Sequence, residues 1–294
     1  MANPNIEKTI TSKQVFVFKE LKDPYFNPHW HFHPEFQISY IIKGKGTRFI
    51  GDHVQNFREG DLVLTPPNLP HLWRSDEPYF EKDSALTTHA MVIYFDQDLV
   101  DRQLLDREEF YPLKRLVDNA SRGVGFYGDT TAQVYRLMQQ IEPTEGFRRI
   151  IKLMEILEVM ANSQEYELLS SPGYTPKLET DDADKMQLVY DYVMKRFKAR
   201  IELQEVAELL NMTPTSFCRY FKPRANKTFT RFVNEIRIGH ARKLLLEDNF
   251  NISQISYECG FNTLSNFNRQ FKAITGMSPH EYRKLFLNIV TGMS

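Results

Sequence analysis

Hydrophobic and polar positions change their period along this 294-residue chain, and each change marks a new kind of element. Residues 36–42, 47–50, 61–65 and 91–95 are β-branched or aromatic runs separated by Gly, Pro, Asn and Asp, the composition of strands closed by turns. From about Thr130 the apolar residues recur at helical spacing: Val134, Leu137, Met138 and Ile141, then Phe147, Ile150, Ile151 and Met154. Two amphipathic helices are therefore expected to follow a mainly β region. Residues 170–184, SSPGYTPKLETDDAD, combine Pro, Gly, Ser and acids without apolar periodicity and read as an exposed linker. Beyond them Met186, Val189, Tyr190, Val193 and Phe197 share one helical face, while Asp191, Lys195 and Lys198 lie elsewhere. The pattern stays helical to the end. The expected organisation is α+β with two domains: residues 1–170 mainly β with trailing helices, a linker over 171–184, and an all-α domain over 185–294.

The all-α part repeats itself. Val206, Ala207, Leu210, Asn211 and Met212 correspond at an offset of 49 to Ile255, Ser256, Cys259, Gly260 and Phe261. Phe217, Arg219, Phe221 and Lys222 correspond at an offset of 50 to Phe267, Arg269, Phe271 and Lys272, so one extra residue enters the second turn. Each copy has a short helix carrying a small residue, a turn with Asn or Gly, and a second helix starting near Thr213 or Thr263. Small residues permit close helix crossing, and Asn or Gly accepts a left-handed turn. This is the shape of a helix-turn-helix. The paired Phe residues, four apart, must face the core. The opposite face offers Thr215, Ser216 and Arg219 in the first copy and Ser265, Asn266, Asn268 and Arg269 in the second, which suit base edges and phosphates. Between the copies, Phe232, Val233, Ile236 and Leu244 form one stripe over residues 230–248. A helix of ~19 residues is ~28 Å long, a spacer that can place two reading helices about one DNA turn (~34 Å) apart.

Three stretches carry a resemblance: QEVAELLNMTPTSFCRYFK, FVNEIRIGHARKLL and ISYECGFNTLSNFNRQFKAITGMSPHEYRK. Residues 186–286 resemble the DNA-binding domain of the AraC/XylS family of bacterial transcription regulators. The resemblance implies DNA contacts by Thr215, Arg219 and Lys222 in the first copy and by Leu264, Ser265, Asn268 and Arg269 in the second. Pro223 departs from the family pattern, and proline's missing N–H predicts that the first reading helix ends early there.

Charge agrees with a polyanion partner at one end only. Residues 184–294 carry 17 Lys+Arg against 10 Asp+Glu, a net of +7, which suits double-stranded DNA. The hydrophobic and charged fractions, 41% and 26%, are those of a folded soluble protein. No stretch approaches ~20 apolar residues, the start from Met1 to Ile10 lacks the apolar core of a leader, and no membrane partner is expected. The two cysteines, Cys218 and Cys259, sit far apart without a CxxC or Cys/His cluster, which excludes a disulfide framework or zinc finger and fits the cytoplasm.

The candidate chemistry of the β half lies in its histidines. His29, His31 and His33 alternate in PHWHFHPEFQ, so a strand through them would show three imidazoles on one face. His71 follows in TPPNLPHLW. The two segments resemble the cupin motifs, with Gln37 where metal-binding cupins usually carry Glu; the implied fold is a cupin-like β-barrel. Two readings stand. In one, His31, His33, Gln37 and His71, with Arg48, Trp73 and Tyr40 as further pocket candidates, bind a small polar effector such as a sugar, and no cofactor is required. In the other, His31, His33 and His71 hold a divalent metal, with Gln37 or Glu35 completing the sphere. The chain is thus expected to be a non-enzymatic, effector-controlled DNA-binding regulator, with a metal sensor or a cupin enzyme fused to a DNA-binding domain as alternatives. The broad apolar faces of the helices over residues 130–163 suggest a homodimer, and an activator would also touch RNA polymerase.

Overall fold

The computed structural model describes residues 10, 14–26, 28–175, 182–247 and 250–291, with only the backbone of residues 102 and 286–291. The chain divides into two compact units, residues 1–176 and 177–294.

In the first unit seven strands run before any regular α-helix: β1 (Phe16–Asp23), β2 (Phe36–Lys43), β3 (Gly46–Ile50), β4 (His53–Phe57), β5 (Leu62–Thr65), β6 (His71–Ser75) and β7 (Thr88–Phe95). Then come α1 (Arg102–Leu105), α2 (Tyr111–Ala120), β8 (Val124–Phe126), α3 (Gly128–Gln139), α4 (Phe147–Asn162) and β9 (Tyr166–Leu168). One sheet has six strands in the order β1-β7-β2-β5-β8-β9, the other three in the order β4-β3-β6. The large sheet is covered on both faces. Ile41, Val63, Ala90 and Val92 face Ile50, Phe57 and Trp73 of the small sheet, whereas Phe36, Ile38, Leu62, Leu64 and Ile93 pack on Leu116, Val134, Leu153 and Ile156 of the helices. Two-sided burial explains why β5 reads as a continuous apolar run rather than an alternating one. Strands β1 and β4 escape the sequence reading because Lys, Glu, Gln and Asn interrupt their apolar residues.

Two expectations are corrected here. No strand runs through the histidine segment: residues 34 and 35 bend, and only His31 forms an isolated bridge, to His71. Pro34, without an amide hydrogen, cannot donate to a ladder. The start of the segment read as linker is built into the first unit instead. Ser170 is fully buried and its Oγ donates to the Ile50 carbonyl at 3.0 Å, while the Ser171 amide donates to Asp52 at 2.9 Å. Of the expected linker, residues 176–181 lie outside the described residues.

The second unit is helical throughout its described residues: α5 (Asp182–Arg196), α6 (Leu203–Leu209), α7 (Pro214–Ala225), α8 (Phe229–Leu246), α9 (Ile252–Glu258), α10 (Leu264–Thr275) and α11 (Pro279–Thr291). The repeat is visible in it, α6 and α7 matching α9 and α10. Thr213, Thr228 and Thr263 each cap a helix with the side-chain oxygen, and Asn251 closes a full capping box with Gln254. Helix α8 joins the copies; the predicted end of this helix at residue 248 lies outside the described residues.

Helix α7 passes through Pro223 and ends at Asn226 in the left-handed conformation, which corrects the expected early stop. Pro223 falls in the last turn and is exposed; its missing N–H removes one bond of the ladder without ending the helix. The turn is held from both sides. Ala225 is buried, and Arg224 bonds to the Tyr220 carbonyl at 3.0 Å and pairs with the buried Asp182 at 2.8 Å.

Candidate functional site

The second helix of each copy owes its orientation to buried aromatic rings. Phe217 and Phe221 stack at 5.6 Å and meet Phe229 of α8; Phe267 and Phe271 are again 5.6 Å apart and meet Phe261 and Tyr282. All four paired rings are at most 1% exposed. Helical geometry then turns the opposite face outward. Thr215, Ser216, Arg219 and Lys222 of α7 are exposed, as are Leu264, Ser265, Asn268 and Arg269 of α10.

Two of the predicted contact residues are already engaged. Thr213 Oγ1 donates to Ser216 Oγ at 3.0 Å, so Ser216 belongs partly to the cap. Asn266 is half-buried and its Oδ1 accepts from Arg269 Nη2 at 2.9 Å, which makes Asn266 an orienter of the Arg269 guanidinium. Sequence reasoning did not single out Ser278 and His280. They open α11 beside α10, and with Leu264, Asn268, Arg269 and Lys272 they line a groove of about 710 Å³.

In the first unit the structure brings His31, His33, Gln37 and His71 together. The ring centroids of His31 and His33 lie 4.4 and 5.0 Å from that of His71, and one ring nitrogen of each histidine lies within 4.8 Å of the others. His29 stays outside, exposed, and contributes only its carbonyl, which accepts from His31 Nδ1 at 2.8 Å. His71 Nδ1 donates to the Leu69 carbonyl at 2.7 Å. His33 Nδ1 lies 3.3 Å from the buried Glu35 carboxylate. Carbonyls only accept, so His31 and His71 carry their protons on Nδ1 and present Nε2 as a lone pair, whereas the bonded nitrogen of His33 is Nε2, facing Gln37. Burial lowers the proton affinity of all three rings, that of His31 to about 4, and keeps them neutral near pH 7.

Gln37 sits against the His33 and His71 rings. Its terminal amide is 2.9 Å from His33 Nε2, 3.2 Å from His71 Nε2 and 2.6 Å from Ser39 Oγ. In the structure the amide oxygen faces both rings and the NH2 donates to the Ser39 hydroxyl, so that oxygen joins the imidazole nitrogens; turned over, the NH2 would donate to both rings and the oxygen would accept from Ser39. Neutral imidazoles whose Nδ1–H is held by an acceptor, as in His31 and His71, suit metal ligation through Nε2. The triad could hold a divalent ion of the zinc, nickel, copper or iron type.

Beside the triad is a cavity of about 140 Å³ lined by His31, Gln37, Ser39, Trp73 and Tyr94 with the apolar Phe26, Ile41 and Val92. Ser39 and Tyr94 were missed from the sequence, although they alternate with Gln37 and with Val92 along β2 and β7, on the face that looks into the cavity. Trp73 lines it, and its indole N–H reaches Asp61 at 3.5 Å. Two other pocket candidates are placed elsewhere. Tyr40 lies on the opposite face of β2, stacked on Tyr135 at 4.7 Å among the helices. Arg48 is buried in a polar knot, 3.4 Å from Asp61, 2.8 Å from Gln55 and 3.8 Å from Glu167, and does not line the cavity.

Comparison with known proteins assigns both units. Residues 14–171 match the AraC-like ligand binding domain, and residues 206–285 match a helix-turn-helix domain. The HTH-type transcriptional regulator YdeC of Bacillus subtilis (strain 168) is 23% identical over 279 residues, covering 89% of this chain and 87% of its own. The melibiose operon regulatory protein of Escherichia coli (strain K12) is also 23% identical over 279 residues, covering 90% and 87%. Among solved structures, ToxT from Vibrio cholerae O395 is 14% identical with a TM-score of 0.35, covering 92% of this chain and 97% of its own. No helix among the described residues is long and apolar enough to cross a membrane. The first match alone spans more than half of the chain, so the protein belongs to the AraC family of transcriptional regulators, a DNA-binding helix-turn-helix domain coupled to a ligand-binding sensor.

Proposed function

We propose that this regulator reads two successive major-groove segments through α7 and α10, and that a small polar effector bound in the cavity beside His31, Gln37 and Trp73 controls that reading. The observation that carries the first statement is the outward polar face on each buried phenylalanine pair. Thr215, Arg219 and Lys222 on α7, and Leu264, Ser265, Asn268 and Arg269 on α10, are the contact residues, with Ser216 and Asn266 shaping them from behind. Arg269, pre-oriented by Asn266, suits bidentate contact to guanine, and Asn268 suits adenine.

The experiment is binding to duplexes selected from a randomised pool. Arg269→Ala is expected to cost about 1–3 kcal/mol and to relax base preference at one position. Affinity should also fall steeply with salt, through release of counterions. Unchanged base preference would remove Arg269 from the reading set.

For the effector, the polar groups of the cavity offer both donors and acceptors against the flat indole of Trp73, the chemistry that recognises a compact polyol. The relative named for the melibiose operon supports sugars as the class to test first. The triad favours a second reading, in which the signal is a divalent metal held by His31, His33 and His71 with the Gln37 oxygen turned toward it. One thermal-shift series on the full chain separates the two. A ligand at 100 times its Kd stabilises by about 2.7 kcal/mol. Stabilisation by a monosaccharide in the wild type, lost in Trp73→Ala, supports the sugar effector. Stabilisation by zinc or nickel alone, lost in His71→Ala, supports the metal. Phe147 and Ile151, four apart on α4 and 73% and 43% exposed, give the sensor an apolar strip suited to a homodimer.

A further inference from the structure

The turns of the two helix-turn-helix copies are not equivalent. Both place one residue in the left-handed region, Asn211 at φ 54° and Gly260 at φ 79°. Asn211 is exposed. Gly260 has no room for a side chain: a Cβ there would sit 2.6 Å from the Phe197 carbonyl oxygen and 2.8 Å from that of Lys198. Those oxygens belong to the main chain just past the end of α5, where helix geometry leaves carbonyls without partners.

The same stretch is gripped from α8. Arg237 Nε donates to the Phe197 carbonyl at 2.7 Å and Nη2 to the Ala199 carbonyl at 2.8 Å. Its guanidinium also lies 5.6 Å from the ring of Phe261, the residue after Gly260. The Phe197 ring packs on His240 of α8 at 5.2 Å. The second copy is therefore seated on the end of α5 by its turn and locked there by the connecting helix.

Helix α5 holds the first copy as well. Near its C-terminus, Tyr192 donates to Glu205 of α6 and Arg196 pairs with Glu205 at 3.3 Å. At its N-terminus, Asp182 pairs with Arg224 near the end of the reading helix α7. One helix thus touches both copies, and only its junction with the second requires a bare glycine.

We propose that the joint of Arg237 and Gly260 on the end of α5 sets the separation of the two reading helices, making both residues determinants of the half-site spacing this regulator accepts. They are positioning residues, acting through α7 and α10 rather than on DNA. The proposal rests on both copies reading DNA, which a wild-type footprint tests separately: protection of a single major-groove segment would remove that premise without any variant.

The test uses the full chain and duplexes it selects from a randomised pool, remade with one or two base pairs added to or removed from the spacer. Wild type should lose at least about tenfold in affinity for either change. Arg237→Ala and Gly260→Ala should lose about tenfold at the selected spacing yet bind the altered spacings within about threefold of it, with affinity for each isolated half-site within about twofold of wild type. Arg237→Lys, which keeps one donor for a carbonyl, should give an intermediate spacing profile. A variant profile as sharp as that of wild type overturns the proposal. So does selective loss of the second half-site on its own, because that marks damage to the second copy instead of a shifted separation.

Discussion

Replacing Phe267 with alanine should lower the stability of the C-terminal unit by about 3–5 kcal/mol, the cost of emptying a fully buried phenylalanine site. The ring has no exposure and contacts Phe261 and Phe271 at 5.3 and 5.6 Å, so the space it leaves cannot collapse without moving α9 or α10. Because α10 carries its reading face directly opposite this ring, DNA affinity should fall with the same substitution. Chemical denaturation followed by far-ultraviolet circular dichroism measures the first effect. Leu264→Ala is the control: Leu264 is 37% exposed on the same helix, so its stability cost should stay small whatever it does to DNA binding. A Phe267→Ala loss below about 1 kcal/mol would mean that the ring does not anchor the helix.

Arg48→Met should destabilise the sensor unit by a similar amount, about 3–5 kcal/mol, for an electrostatic reason. Removing one partner of a buried ion pair strands the other charge. Arg48 is 4% exposed and Asp61 15%. Burial already pushes the Asp61 carboxyl above its ordinary range, and the Arg48 guanidinium is the main influence opposing that rise, ahead of the Trp73 hydrogen bond. Without Arg48 the folded-state value rises further above the unfolded one. A carboxyl raised in this way costs nothing below its unfolded value, about 3.9, and destabilises increasingly as pH climbs through the folded value. The gap between variant and wild type should therefore be widest near pH 7 and close toward pH 4. Adding Asp61→Asn should recover much of the loss, and the double-mutant cycle gives the coupling. A loss that does not vary with pH would place the effect in packing.

This knot also marks where sequence reasoning stopped. Arg48, Trp73 and Tyr40 look alike in a one-dimensional reading, each an aromatic or charged residue in a β region. Strand register separates them. Tyr40 is one residue out of phase with Gln37 and Ser39, and a shift of one along a strand moves a side chain to the other face. Arg48 stands opposite Trp73 across β3 and β6, yet Asp61 and Glu167, distant in sequence, capture it. The histidine cluster was partly legible, because two short motifs named its members. The tautomers of His31 and His71 were not, since the acceptors that set them are the carbonyls of His29 and Leu69.

The helical half is different in kind. Its reading faces follow from spacing within single helices, where Phe217 and Phe221, or Phe267 and Phe271, face inward and leave Arg219 or Arg269 outside. Local period and an internal repeat are properties of the chain itself, so the sequence alone determined two helix-turn-helix units, their connecting helix and the residues each exposes. Contacts between residues far apart in the chain obey no such period. Tertiary structure alone decided that α7 continues through Pro223, held by Arg224 and Asp182, that residues 170 and 171 dock on the sensor, which of the β-strand candidates line the cavity, and that Gly260 rests against the end of α5.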